Sequence, residues 1–161
     1  MSTVEKFEDL LCWQRARELV SFVYDISKYR DFGKDRGLVN QITRASVSVM
    51  SNIAEGFDRA TQNEFVDALF IAKGEAGEVR SQLYIAYDCR YIDMSKFQYG
   101  LKLTDECSRL IQSFTMKVKG GARRGLQFKR VKKPDGFGAD FSKNGLIRLP
   151  DGRFVNKNEG V

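Results

Sequence analysis

The chain has 161 residues, 42% of them hydrophobic and 30% charged, which is apolar material for one packed core plus an appendage. Its net charge is +6 and it contains no histidine, which removes Ser-His and Cys-His nucleophile activation, histidine metal clusters and the Glu-x-x-His motif of di-iron bundles. No run of about 18 apolar residues offers a membrane span, and Met1-Ser-Thr-Val-Glu-Lys6 lacks the basic-then-apolar pattern of a secretion signal, so a cytoplasmic protein is expected.

Four segments carry helical periodicity. The first is predicted from about Glu8 to Tyr29, with Ala16, Leu19, Val20, Val23 and Ile26 on one face. Gly33 is read as its stop. The second runs from about Asp35 to Glu55 on a stripe of Leu38, Ile42, Ala45, Val49 and Ile53, with Gly56 as its C-terminal stop. The third opens at Thr61-Gln-Asn-Glu64, a capping box in which hydroxyl and carboxylate each satisfy a backbone N–H. Phe65, Leu69, Ala72, Ala76, Val79, Leu83 and Ala86 then line one face to about Asp88. The fourth opens at Ser95-Lys-Phe-Gln98, read as a second capping box, and follows Phe97, Leu101, Thr104, Ile111, Phe114 and Val118 to Gly120-Gly121.

The predicted connections, about Asp31–Lys34, Phe57–Ala60 and Arg90–Met94, are short, and short connections join antiparallel neighbours. The expected fold is all-α: an antiparallel up-down-up-down four-helix bundle over residues 7–119. Residues 120–161 form a basic, glycine-rich, non-helical tail, extended or with a small β-hairpin. Two Pro-Asp-Gly turns lie in it, and Leu146–Leu149 and Arg153–Val155 flank the second.

Charge is placed unevenly. Residues 117–161 carry twelve Lys and Arg against four Asp and Glu, a net of +8, while the residues before them carry fifteen against seventeen, a net of −2. Such asymmetry points to an anionic partner. Arg123, Arg124, Lys129, Arg130, Lys132 and Lys133 suit phosphates, and Phe128 among them suits stacking on an unpaired base. These seven residues are the candidate nucleic-acid-binding site; a merely solubilising tail is the alternative. Arg44, Arg59, Arg80 and Arg90 either extend the basic track or are ordinary surface charges.

Cys12, Cys89 and Cys107 lie far apart in apolar-periodic segments and read as buried small hydrophobes, not as disulfide partners or zinc ligands. Glu64, Asp67, Glu75 and Glu78 read as a solvated face or as interface salt-bridge partners. Gly74 and Gly77, with Ala72 and Ala76, mark a small-residue face that packs within the bundle or between subunits. Leu11, Phe22 and Phe70 fall off the core stripes and are candidates for a subunit interface.

One segment carries a family signature. Arg44, Ala45, Ser48, Asn52, Ile53, Ala54, Glu55 and Gly56 occur in the run Gln41–Gly56. Around it stand Phe7–Leu10, Trp13, Ala16–Val20, Glu64-Phe65, Leu69, Ala72, Gly74 and Glu78. Over roughly residues 7–118 this resembles the 23S rRNA intervening-sequence protein family, the four-helix-bundle proteins. The resemblance implies a bundle that assembles as a homopentameric ring, with no established enzymatic activity. It also implies a relation to the accessory variability proteins of diversity-generating retroelements, which bind a reverse transcriptase and nucleic acid. Within it Arg44, Ser48, Asn52, Glu55 and Gly56 serve structure or interface: Gly56 stops the helix, while Asn52 and Glu55 bond a loop or a neighbouring subunit. Met50 stands where many relatives have proline, Gly74-Glu75 replaces a common Gly-Ser, and the segment after Gly120 has no counterpart in short members.

The expectation is therefore a non-enzymatic bacterial accessory protein without metal or cofactor. It would form homo-oligomers, bind RNA or DNA with low sequence specificity, and assist a reverse transcriptase. The alternative is an oligomeric protein-interaction scaffold whose basic tail meets an acidic protein partner.

Overall fold

In the computed structural model, residues 4–59, 61–120, 146–148 and 154–156 are described. A 3-10 turn, Phe7–Asp9, precedes helix α1 (Leu11–Ser27), the short α2 (Arg30–Lys34), α3 (Arg36–Asp58), α4 (Gln62–Asp88) and α5 (Met94–Lys119). Separately, strands β1 (Leu146–Arg148) and β2 (Phe154–Asn156) pair antiparallel, with Ile147 opposite Val155.

Helix α1 packs on α3 and α5, and α4 packs on the same two. The four long helices thus close a cycle with α1 and α4 on its diagonal. Partners along the α4–α5 seam run in opposite senses: Gln62 donates to Val118 O, Lys73 Nζ lies 2.7 Å from Gln112 Oε1, and Arg80 reaches Leu101 O at 3.3 Å. The α1–α5 seam does the same, with Arg15 on Glu106 and Phe22 on Tyr99. Leu19, Ile42, Ile53, Leu69, Leu83 and Ile111 are fully buried between the helices. Each such side chain contributes about 1.5–3 kcal/mol by leaving water. Phe65 joins Phe57 and Phe114 edge to face at 6.2 and 5.6 Å.

The helix ends depart from the sequence expectation in instructive ways. Leu10 is extended (φ −76°, ψ 121°) and buried, so the predicted first helix splits into the 3-10 turn and α1. Residues 31–34 are not a loop. They coil into α2 because Phe32 is fully buried and stacks on Tyr91 at 5.4 Å, and Gly33 lies inside that helix instead of stopping α1. Asp35 caps α3 by accepting from Leu38 N at 3.0 Å.

Gly56 does not end α3, which continues to Asp58. It is a point of close approach: a Cβ there would lie 2.6 Å from Ala68 Cβ and 2.7 Å from Phe65 Cδ2. Thr61 caps α4 as expected, accepting from Glu64 N at 3.2 Å, but Glu64 Oε2 takes the Thr61 hydroxyl (2.6 Å) rather than a backbone N–H. The cap of α5 is Asp93, which accepts from Lys96 N at 2.8 Å, and Ser95 lies inside the helix. At the end of α4, Arg90 takes the left-handed conformation (φ 60°). Arg90 N then bonds Tyr87 O and Tyr91 N bonds Ala86 O, both at 2.8 Å, which satisfies carbonyls that the helix end would orphan.

Candidate functional site

Arg44, Ser48, Asn52 and Glu55 are spaced four, four and three residues apart, which puts them on one face of a helix. Helix α3 turns that face toward the seam with α4. Two depressions open along the seam. The larger, about 650 Å³, is lined by Gln41, Arg44 and Ser48 of α3, Glu75 and Glu78 of α4, and Tyr24 of α1. The smaller, about 170 Å³, lies toward the helix ends, between Asn52, Glu55 and Arg59 of α3 and Glu64, Asp67 and Ile71 of α4.

The two ends of this groove are organised differently. Asn52 does not reach a loop. Its Nδ2 donates to Ser48 O (2.8 Å) and Ser48 Oγ (3.0 Å) within its own helix. Ser48 therefore meets an amide, not a base, and gains no activation as a nucleophile. Glu55 pairs with Arg59, and Arg59 also reaches Glu64 at 3.5 Å. The hydrogen bond that Arg59 donates to Glu55 raises the Arg59 pKa, and the bond donated by the Thr61 hydroxyl holds Glu64 below its ordinary value. At the wide end Arg44, Glu75 and Glu78 make no ion pair among the described residues, although they line one depression.

Electrostatically the groove is acidic. Glu55, Glu64, Asp67, Glu75 and Glu78 line it against Arg44 and Arg59, so it repels phosphate more than it attracts it. Arg59 is engaged by two carboxylates and is not a free member of a basic track. Among the described residues no three His, Cys, Asp or Glu side chains come together as a metal site.

The other sequence-derived candidates separate clearly. Arg123, Arg124, Phe128, Lys129, Arg130, Lys132 and Lys133 lie outside the described residues. Cys12 and Cys107 are buried, and burial pushes the Cys107 thiol up to about 12. Cys89 is exposed, against the expectation, because it caps α4 on the solvent side. Gly74 and Gly77 do not pack within the bundle: a Cβ at either would meet nothing within 4 Å among the described residues. Leu11 and Phe70 are exposed as expected of interface candidates, but Phe22 is half-buried against Gly100 and Tyr99. Sequence reasoning missed Tyr24 and Gln41 at the groove. The spacing of Gln41 from Arg44 and Ser48, three and seven residues back, was the available signal.

Residues 8–113 match the family of 23S rRNA-intervening sequence proteins. No curated protein matches the chain. A solved structure from Bacteroides thetaiotaomicron VPI-5482, a protein of unknown function in the S23 ribosomal protein family, superposes with a TM-score of 0.62 at 22% sequence identity. The likeness covers 65% of this chain and 98% of that one, and at this identity it shows the fold alone. Among the described residues no helix is long and apolar enough to cross a membrane.

Proposed function

The chain belongs to the 23S rRNA-intervening sequence protein family, and from that premise we propose that it is a non-enzymatic, oligomeric, nucleic-acid-binding accessory protein. The observation that carries the reading is the division of charge: +8 in residues 117–161 against −2 before them. The bundle is the assembly platform. The segment with Arg123, Arg124, Lys129, Arg130, Lys132 and Lys133 supplies the phosphate contacts, and Phe128 supplies stacking. The acidic α3–α4 groove supports this split, since it leaves the bundle's motif face unsuited to phosphate.

Oligomerisation multiplies weak tail contacts through avidity. No base-reading motif stands among the basic residues, so binding should be salt-sensitive and tolerant of sequence. The resemblance to accessory variability proteins extends the reading to a homopentameric ring with a reverse transcriptase as protein partner.

The test compares the full chain with one truncated after Lys119. Each is titrated into labelled single-stranded RNA and duplex DNA across a salt series. Loss of a salt-sensitive binding on truncation supports the reading. Binding by neither form, together with a partner protein that co-purifies after nuclease treatment, replaces it with the protein-scaffold alternative.

A further inference from the structure

The wall that α4 gives to the acidic groove has a regular pattern. Asp67, Ile71 and Glu78 are spaced four and seven residues apart, which sets them in one row along the helix. All three are exposed, Ile71 by 53%. Asp67 and Ile71 line the smaller depression and Glu78 lines the larger, so the row runs past both. Among the described residues neither Asp67 nor Glu78 makes an ion pair, whereas Glu55 and Glu64 are held by Arg59.

The polypeptide leaves the bundle beside this row. Gln62 holds the Val118 carbonyl, and the Lys119 ammonium lies over the ring of Phe70, the residue next to Ile71. Residues 121–129, which lie outside the described residues, read Gly-Ala-Arg-Arg-Gly-Leu-Gln-Phe-Lys, with three cations and no acid. Arg124 stands five residues beyond Lys119, a reach of about 16 Å. Asp67 is only about 5 Å along α4 from Phe70.

We propose that residues 123–129 of this chain dock along the Asp67–Ile71–Glu78 row of α4, and that nucleic acid must displace them from it. The spacings agree. Along α4 the row advances about 6 Å from Asp67 to Ile71 and about 10 Å more to Glu78. In extended chain Arg124 to Leu126 advances about 7 Å, and Leu126 to Lys129 about 10 Å. Arg124 therefore meets the Asp67 carboxylate as Leu126 covers Ile71, and Lys129 comes level with Glu78. A tether of five residues gives the segment an effective concentration on the order of millimolar, so a free basic peptide competes poorly for the row. Docking occupies the same cations that would meet phosphate, and with them Phe128. This inference rests on the nucleic-acid reading above and adds a competitor within the chain.

The experiment titrates full-length protein with fluorescein-labelled single-stranded oligouridine at low salt. Asp67→Asn combined with Glu78→Gln should bind about threefold more tightly or better, because two exposed ion pairs no longer oppose release. Glu8→Gln combined with Asp9→Asn removes the same charge away from α4 and is the control; both pairs are exposed, so both variants should fold. In a second arm, Ile71→Cys and Leu126→Cys are combined in a Cys89→Ser background and oxidised. Peptide mapping should find the bond within one chain, and oligouridine should slow its formation. Equal affinity in the two neutralised variants, or no bond between positions 71 and 126 within a chain, overturns the docking and leaves the nucleic-acid reading standing. Binding by no form of the protein overturns that reading and the competition with it.

Discussion

Two pairs of glycines in this bundle answer to opposite demands. Gly56 and Gly100 stand where helices nearly touch. A Cβ on Gly100 would lie 2.7 Å from Leu83 Cδ1 and 2.8 Å from Phe22 Cε1, and one on Gly56 would meet Ala68 and Phe65 closer still. Among the described residues, nothing lies within 4 Å of where a Cβ on Gly74 or Gly77 would stand. The first pair is explained by packing inside the bundle, whereas the second costs helix stability with no return among the described residues. The difference teaches that a glycine in a helix is explained by close approach only where a neighbouring side chain would collide with its Cβ, as at Gly56 and Gly100.

The comparison can be broken at several strengths. The hardest blow falls on the ring that Gly56 touches. Phe65→Ala should cost about 3–5 kcal/mol, read as a collapse of the denaturant midpoint, since Phe65 is fully buried between Phe57 and Phe114. Gly56→Ala should cost about 1–3 kcal/mol, because Ala68 Cβ is fixed to a helix backbone and cannot yield. A melting temperature as high as wild type would show that α3 and α4 separate freely there. At Gly74 the sign reverses. Measured on monomeric protein, Gly74→Ala should stabilise by up to about 1 kcal/mol, and a loss instead would reveal a contact within the subunit. Arg90→Gly should stabilise by roughly 0.5–1 kcal/mol, since the left-handed cap favours glycine.

The smallest effect is on thiols. Cys89 should react with a thiol reagent in the native state. Cys107 should not, because burial raises its pKa from 9.0 to about 12 and keeps it neutral. A raised pKa makes this stability contribution complete below pH 9, and it should shrink as pH rises toward 12, where only the unfolded thiol ionises freely. Stability that stays flat across that window would break the argument.

The core was legible where one helix face was all that mattered. The stripes Leu38–Ile53 and Phe65–Ala86 follow from periodicity, and the structure buries their members. Leu103 of α5 was missed because a second apolar row beside the first is needed to face two neighbours at once, whereas Cys107 on that row was read as buried and is. Ends were harder. Asp93 and Ser95 are both good caps, and the choice falls to Asp93, whose carboxylate also pairs with Lys96. Gly56 carries the same letter whether it stops a helix or lets another pass, and only the position of Phe65 and Ala68 decides.

The motif residues Arg44, Ser48, Asn52 and Glu55 were legible from the family resemblance, and their spacing puts them on one face of α3. Its acidic partners were not, because Glu75 and Glu78 join it through tertiary pairing that no local pattern encodes.

The last turn of α5 is clasped from α4. Gln62 donates to the Val118 carbonyl, and the Lys119 ammonium sits 4.5 Å from the centre of the Phe70 ring. In mechanical terms this clasp is a strain relief. Tension on the polypeptide beyond Gly120, such as a captured polymer would exert, reaches these surface contacts before it reaches Ile111 or Cys107. The outermost turn would peel first, and the interior of the bundle would bear load only after it had.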